Sequence, residues 1–256
     1  MMLWLTTSRQ WTEPLPINVF VIEHRDGLVL FDTGQDRASV TDPKYFPAGL
    51  VGWFYRRTAR ADIAEDQTLA AGFSRLGYRL SDVSKVILSH LHQDHIGGLA
   101  EFYGASIYVS QTEWATLAGR DALLNGLMRN HIELPGLNWK RFTPEPASDR
   151  GLEPFTASYD LFGDGSLVLI PTPGHTPGSV SLIVRQPGKP TLAIVGDLTF
   201  SKDLLESDHV PGAGSRGQLQ ETTAKIKQLR HNLGGLVVLA THDPAAAAQL
   251  EKSLGT

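Results

Sequence analysis

Apolar residues along this chain fall into short runs bounded by glycine, proline or charged residues, and most of those runs have the length of a strand. INVFVIEH (Ile17 to His24) and LVLF (Leu28 to Phe31) flank Arg25-Asp26-Gly27 and predict an opening hairpin, closed by Asp32-Thr33-Gly34. Further β-branched runs predict strands at KVILS (Lys85 to Ser89), ASIYVS (Ala105 to Ser110), SLVLIPT (Ser166 to Thr172), SVSLIVRQ (Ser179 to Gln186), TLAIVGD (Thr191 to Asp197) and GLVVLAT (Gly235 to Thr241). Helical spacing appears between them. Leu69, Phe73 and Leu76 share a face of Asp66 to Leu76, and Leu219, Ile226, Leu229 and Leu233 share a face of Gln218 to Leu233. Ala245 to Leu254 reads as a surface helix. Strands outnumber helices and several follow one another directly, so an α/β sandwich of two sheets with outer helices fits better than a doubly wound parallel sheet.

Gln35 to Ala64 resists this pattern: it is rich in aromatic residues and has no clean period, which predicts a long functional loop. Tyr45, Phe46, Trp53, Phe54 and Tyr55 either line a substrate pocket or pack in the core or at a homodimer contact. No internal repeat, low-complexity tract or linker interrupts the chain, and residues 1–256 are expected to form a single domain.

Composition narrows the chemistry. A net charge of -4 with no basic run gives no footing on a nucleic-acid backbone, so no nucleic-acid partner is expected. The start, MMLWLTTSRQWTEPLP, lacks a basic flank and a small-residue cleavage site, and no later run is long enough to span a bilayer; the expectation is a cytoplasmic protein with no membrane partner. The absence of cysteine excludes disulfides and thiolate zinc sites, leaving nitrogen and oxygen as the ligands for any metal.

LSHLHQDHIGG (Leu88 to Gly98) supplies such ligands in unusual density, with His90, His92, Asp94 and His95 inside six positions. Imidazoles and a carboxylate are poor core material, and protonated histidines would repel one another, so packing does not explain the cluster. His90 and His92 are two apart after a strand and point to one side if the extended backbone persists. A hydrolytic zinc takes about three protein ligands plus water, so four clustered candidates imply two ions or remote partners. Remote partners exist: His175 in the braced loop PTPGHTPGS, Asp197 closing TLAIVGD, and His242 closing GLVVLATH. Their common placement after apolar strands predicts one rim, where His90, His92 and His175 bind one ion, Asp94, His95 and His242 bind a second, and Asp197 bridges the two. The donor set suits zinc, with manganese, iron or cobalt as alternatives. His24, His131 and His231 are read as solvated or hydrogen-bonded residues, and His209 as a loop residue. Asp32 is either an acceptor that orients a ligand histidine or simply a turn residue.

His90-Leu91-His92-Gln93-Asp94-His95, Gly97-Gly98, His175, Asp197 and His242, in that order, resemble the metallo-β-lactamase superfamily across essentially the whole chain. The resemblance implies an αββα sandwich, the metallo-β-lactamase fold, with a dinuclear site at one sheet edge. SHLHQDHIGG, TPGHTPGSVSL and Thr241-His242-Asp243 look most like the N-acyl homoserine lactonases, and Asp197 speaks against the true β-lactamases, which generally lack a bridging aspartate. Two departures concern substrate. Phe200 stands where lactonases of this type carry a carbonyl-binding tyrosine, and Gln93 stands where an aromatic residue is frequent.

The implied activity is that of a metal-dependent hydrolase opening a lactone ring, with a hydroxide bridging two divalent ions as nucleophile and Asp94 as the catalytic proton carrier to the leaving alkoxide. Quorum quenching would be the corresponding role, and a small-molecule lactone or ester the partner. The alternatives are an esterase, aryl-lactone or organophosphate hydrolase of the same fold, or a metal-binding module without turnover.

Overall fold

Leu28 to Phe31 is apolar at every position because both faces of its strand are covered. In the computed structural model, which describes residues 14–58 and 60–255, Val29 and Phe31 point into one hydrophobic cluster while Leu28 and Leu30 point into another. That alternation repeats in the second half of the chain, where Leu167 and Leu169 face the first of these clusters and Val168 and Ile170 face a third.

Two sheets produce this layering. The first contains β1 (Phe20–His24), β2 (Gly27–Phe31), β3 (Val83–Ile87), β4 (Ser106–Ser110) and β5 (Asn138–Phe142) in that spatial order, with β1 antiparallel to β2 and the remaining pairs parallel. The second contains β6 (Glu145–Pro146), β7 (Ala157–Asp160), β8 (Leu167–Pro171), β9 (Val180–Val184), β10 (Leu192–Ile194) and β11 (Val237–Leu239). Its neighbours are antiparallel except for the parallel pair β10 and β11. Phe31, Ile87, Leu169, Leu182 and Ile194 fill the space between the sheets. Helix α1 (Leu50–Thr58) stands apart beside the rim, α2 (Leu69–Leu76) lays Phe73 on the outer face of the first sheet, and α5 (Arg216–Leu233) lays Leu219, Ile226 and Leu229 on that of the second. Two shorter helices, α3 (Gln93–Ile96) and α4 (Gln111–Thr116), lie between α2 and β5. The result is the expected αββα arrangement. Each fully buried Leu or Phe in these layers contributes roughly 1.5–3 kcal/mol relative to an exposed position.

Some boundaries differ from the expectation for physical reasons. β1 begins at Phe20 rather than Ile17 because Asn18 bonds elsewhere: its N–H donates to Thr241 O at 2.8 Å and its side chain to Asp243 O at 2.9 Å. α2 begins at Leu69, capped by the Thr68 hydroxyl, with a turn of 3-10 helix at Glu65–Gln67 before it. The Gln35 to Ala64 segment is not a plain loop, since it holds α1 and a turn of helix at Ala38–Thr41. Its aromatic residues divide between the two readings. Tyr45 and Phe46 are buried against Met128, Tyr55 reaches a cavity wall, and Trp53 is 54% exposed. The pattern missed β5, β6 and β7. Asn138 to Phe142 carries Lys140 and Arg141 toward solvent and Ala157 to Asp160 is half-buried, so neither forms an apolar run. The helix Ala246–Leu254 is more than a surface element, as it seats Ala246 and Leu250 against the core between the sheets. Among the described residues no helix is long and apolar enough to cross a membrane.

Candidate metal centre

β2, β3 and β4 run parallel, as do β10 and β11, and β8 shares their direction through two antiparallel steps, so each sheet delivers the C-terminal ends of several strands to one rim. The sheets are tied together there by Val180 N–H, which donates to Ser89 O at 3.0 Å. His90 and His92 leave the end of β3 in extended backbone, and α3 then turns Asp94 and His95 back over them. His175 sits in the loop between β8 and β9, Asp197 lies just beyond β10, and His242 just beyond β11.

All seven side chains converge. His90, His92 and His175 form one group, Asp94, His95 and His242 a second, and His90, His95 and Asp197 a third, with the ligand atoms of each group within 4.8 Å of one another. Asp197 stands between the two histidine sets. Its Oδ1 lies 3.1 Å from His95 Nε2 and 3.3 Å from His242 Nε2, and its Oδ2 lies 3.3 Å from His175 Nε2. His92 Nδ1 is 2.9 Å from His175 Nε2, and Asp94 Oδ2 is 3.5 Å from His242 Nε2.

The outer nitrogens of four imidazoles are held by acceptors, which fixes ring orientation and tautomer. His95 Nδ1 donates to Asp32 Oδ2 at 2.8 Å, and His90 Nδ1 donates to Ser89 Oγ at 2.9 Å, which itself donates to Asp32 Oδ2 at 2.8 Å. His92 Nε2 donates to Asn125 O at 2.9 Å and His242 Nδ1 to Pro16 O at 2.9 Å. Each ring therefore turns its other nitrogen inward. Asp32 holds a left-handed backbone with φ 59, a conformation that aspartate tolerates, and is 1% exposed, so it is the orienting acceptor of the two roles its sequence position allowed. Gly126, with φ +90, makes room for His92, because a Cβ there would stand 2.7 Å from the ring's Cδ2.

Whether this set fits a cation is answered by its unsatisfied atoms. His90 Nε2, His95 Nε2 and Asp197 Oδ1 are buried without a hydrogen-bond partner, although they approach one another closely. A buried polar atom left unpaired costs about 1–3 kcal/mol, so three at one point mark a place built for something they bind together. Nitrogen and carboxylate oxygen donors without sulfur suit zinc and other first-row divalent metals. The electrostatics agree. Burial, reinforced by His95, His92 and His175, pushes His90 well below the usual imidazole range, and burial with His92 brings His175 down to about 4 against the pull of Asp197. Burial also opposes charge on His95 and His242, but carboxylates overcome it: Asp197, Asp32 and Asp94 raise His95 well above its usual range, and Asp197 and Asp94 raise His242 to about 8. Asp197, despite its burial, is held well below the carboxylate range by His95, His242 and His175. Negative charge thus concentrates where a cation would be shared.

A cavity of about 530 Å³ opens beside this centre, bordered by His92, Asp94 and His175 on the polar side and by Tyr55, Leu124 and Leu127 on the apolar side. Gln93 also reaches its wall, and Phe200 packs edge-on against His242 with ring centroids 5.0 Å apart. His24 stacks on Phe162, His131 bonds Tyr45 O, and His209 and His231 are exposed, so none of these four joins the cluster. The sequence pattern did not reveal the carbonyls of Pro16 and Asn125, which act through backbone, nor Glu113, a carboxylate fully buried beside the cavity. Ser110-Gln111-Thr112-Glu113 carries the signature of a helix-capping box, which would assign that carboxylate to the helix end.

The class of protein follows from fold and site together. The family model for the metallo-beta-lactamase superfamily matches residues 12–242, and the chain belongs to that superfamily. Within it, the chain is 30% identical over 242 residues to the N-acyl homoserine lactonase AttM of Rhizobium radiobacter, covering 93% of this chain and 86% of that protein. It is 27% identical over 216 residues to an N-acyl homoserine lactonase of Bacillus cereus, covering 84% of this chain and 76% of the relative. Among solved structures, an N-acyl homoserine lactone hydrolase with the product N-hexanoyl-L-homoserine at its catalytic metal center superposes with a TM-score of 0.71 at 25% identity, covering 91% of this chain and 84% of that one.

Proposed function

We propose that this metal-dependent hydrolase opens the ring of an N-acyl homoserine lactone or a closely similar lactone, using two divalent ions, zinc by preference, held by seven side chains. His90, His92 and His175 would hold one ion, Asp94, His95 and His242 the other, and Asp197 would serve both. The observation that carries this reading is the meeting of those side chains around buried ligand atoms that have no hydrogen-bond partner. When bound, such ions supply a water acidified toward neutral pH and a Lewis acid for the substrate carbonyl.

The chain's own groups do the rest. The acceptors behind His90, His92, His95 and His242 fix these imidazoles in direction and aim their other nitrogens at the centre. Asp94 borders the cavity with its side chain 29% exposed, so its carboxylate can take a proton from the attacking water and deliver it to the ring oxygen as the C–O bond breaks. Leu124, Leu127 and Tyr55 give the cavity an apolar wall suited to an acyl chain, and the volume of about 530 Å³ admits a substrate of that size. Phe200 supports His242 by ring packing and offers no donor, so it contributes nothing to polarising the carbonyl.

The test is ring opening of acyl-homoserine lactones against aryl esters, with purified protein before and after exhaustive chelation. Hydrolysis that prefers the lactones, vanishes on chelation and returns with added zinc is expected. Hydrolysis indifferent to chelation, or none by metal-replete protein across the substrate panel, would overturn the proposal.

A further inference from the structure

We infer that Glu113 is a positioning residue for the metal centre: its carboxylate clamps the loop that carries His90 and His92 to the loop that carries His175. Glu113 is fully buried in α4. Its Oε1 accepts from Leu91 N–H at 3.0 Å, the amide between His90 and His92. Its Oε2 accepts from the Thr176 hydroxyl at 2.7 Å and from Gly178 N–H at 3.1 Å, one and three residues beyond His175. One carboxylate thus bonds both loops at once.

Helix capping does not account for it. The Ser110 hydroxyl does cap the helix, accepting from Glu113 N–H at 3.0 Å, but the glutamate side chain turns inward to the two loops. The Ser110 hydroxyl also donates to Gly178 O at 2.7 Å, so helix and loop are joined by several bonds. Their contact is so close that a Cβ on Gly178 would lie 2.0 Å from Glu113 N.

His175 is the histidine that needs such a brace. The other four cluster imidazoles are oriented by an acceptor on their outer nitrogen, whereas His175 Nδ1 is buried with no hydrogen-bond partner among the described residues. Its ring is therefore aimed by its loop. That loop is held on one side by Glu113 and on the other by α5, where Thr222 Oγ1 donates to Pro173 O at 2.8 Å. A carboxylate is the right group for the clamp because it only accepts, and all three of its partners are donors. Glutamine at the same place would set an NH2 group against a donor at one end.

This inference rests on the proposed ligand roles, and its test separates the two. Zinc content and affinity are measured by equilibrium dialysis against a graded chelator for wild type, Glu113→Gln, Thr176→Val and His175→Ala, with circular dichroism and melting of the metal-free proteins recorded alongside. Glu113→Gln is expected to keep its fold and to hold one ion as wild type does, while the ion weakened by His175→Ala is also weakened, by roughly tenfold or more. Thr176→Val, which removes the hydroxyl's bonds to Glu113 and to Ser179 Oγ but leaves the two backbone amides on the carboxylate, should weaken that same ion by about threefold to tenfold. Equal weakening of both ions, or wild-type affinity for both in the two variants, overturns the inference. If Glu113→Gln fails to fold, Thr176→Val decides on the same criterion. A wild-type protein that binds no zinc would overturn the proposed function itself, and the inference with it.

Discussion

The two sheets furnish the rim in opposite ways. The first delivers His90, His92, Asp94 and His95 from one stretch of six residues at the end of β3, while the second delivers His175, Asp197 and His242 singly, after β8, β10 and β11. In the first group the orienting acceptors belong to the same half of the sandwich: Ser89 and Asp32 serve His90 and His95 through one buried chain of hydrogen bonds, and the Asn125 carbonyl serves His92. In the second, orientation comes from across the sandwich, with the carbonyl of Pro16 on His242 and Glu113, in α4 after β4, on the loop of His175. Clustered ligands can be tuned from within their own half of the sandwich. Scattered ones depend on the sheets being held in register, and therefore on groups that appear in no local motif.

Asp197→Ala offers the largest test of that contrast, because Asp197 touches His95, His175 and His242 and so acts on both groups. Lactone hydrolysis should fall well beyond the ~10–100-fold that loss of an outer partner of a ligand costs, and metal analysis should show less than the wild-type content. Asp32→Asn is expected to act on the clustered group alone. Asparagine tolerates the left-handed backbone at φ 59, but its single oxygen cannot serve both His95 Nδ1–H and Ser89 N–H, which Asp32 bonds at 2.8 and 2.7 Å. Metal affinity should drop by roughly 10–100-fold at the ion of His95, measured by chelator competition, with a smaller loss at the ion of His90, which Asp32 reaches only through Ser89. Wild-type affinity at both ions would show that Asp32 does not orient the clustered group. The smallest effect belongs to His209→Ala: that exposed histidine lies outside the cluster, so activity and metal content should match wild type.

The sequence showed the layered fold wherever strands were apolar. β2, β8 and β10 are covered on both faces, so burial wrote itself as unbroken apolar runs, and β3 and β9 are interrupted only by Ser84-Lys85 and Ser181. β5 and β7 escaped because they are partly exposed and their polar residues break that signal. α1 escaped too, since its helical face is read only with the rim already in place: Tyr55 reaches Leu123 O while Trp53 remains exposed. The seven candidate ligands were visible because imidazole and carboxylate groups at the ends of apolar strands are costly without a common purpose. Glu113 was not. Its role depends on three donors contributed by residues 22, 63 and 65 positions away, a relation that spacing along the chain cannot express. The backbone acceptors Pro16 and Asn125 were invisible for a simpler reason, as any residue carries a carbonyl.

Anomalous diffraction from zinc-loaded crystals, collected above and below the zinc absorption edge, tests the two-ion centre most directly. Two peaks are expected, one among His90, His92 and His175 and one among Asp94, His95 and His242, with the Asp197 carboxylate between them. A lone peak away from these side chains, or no peak at full zinc loading, would contradict it.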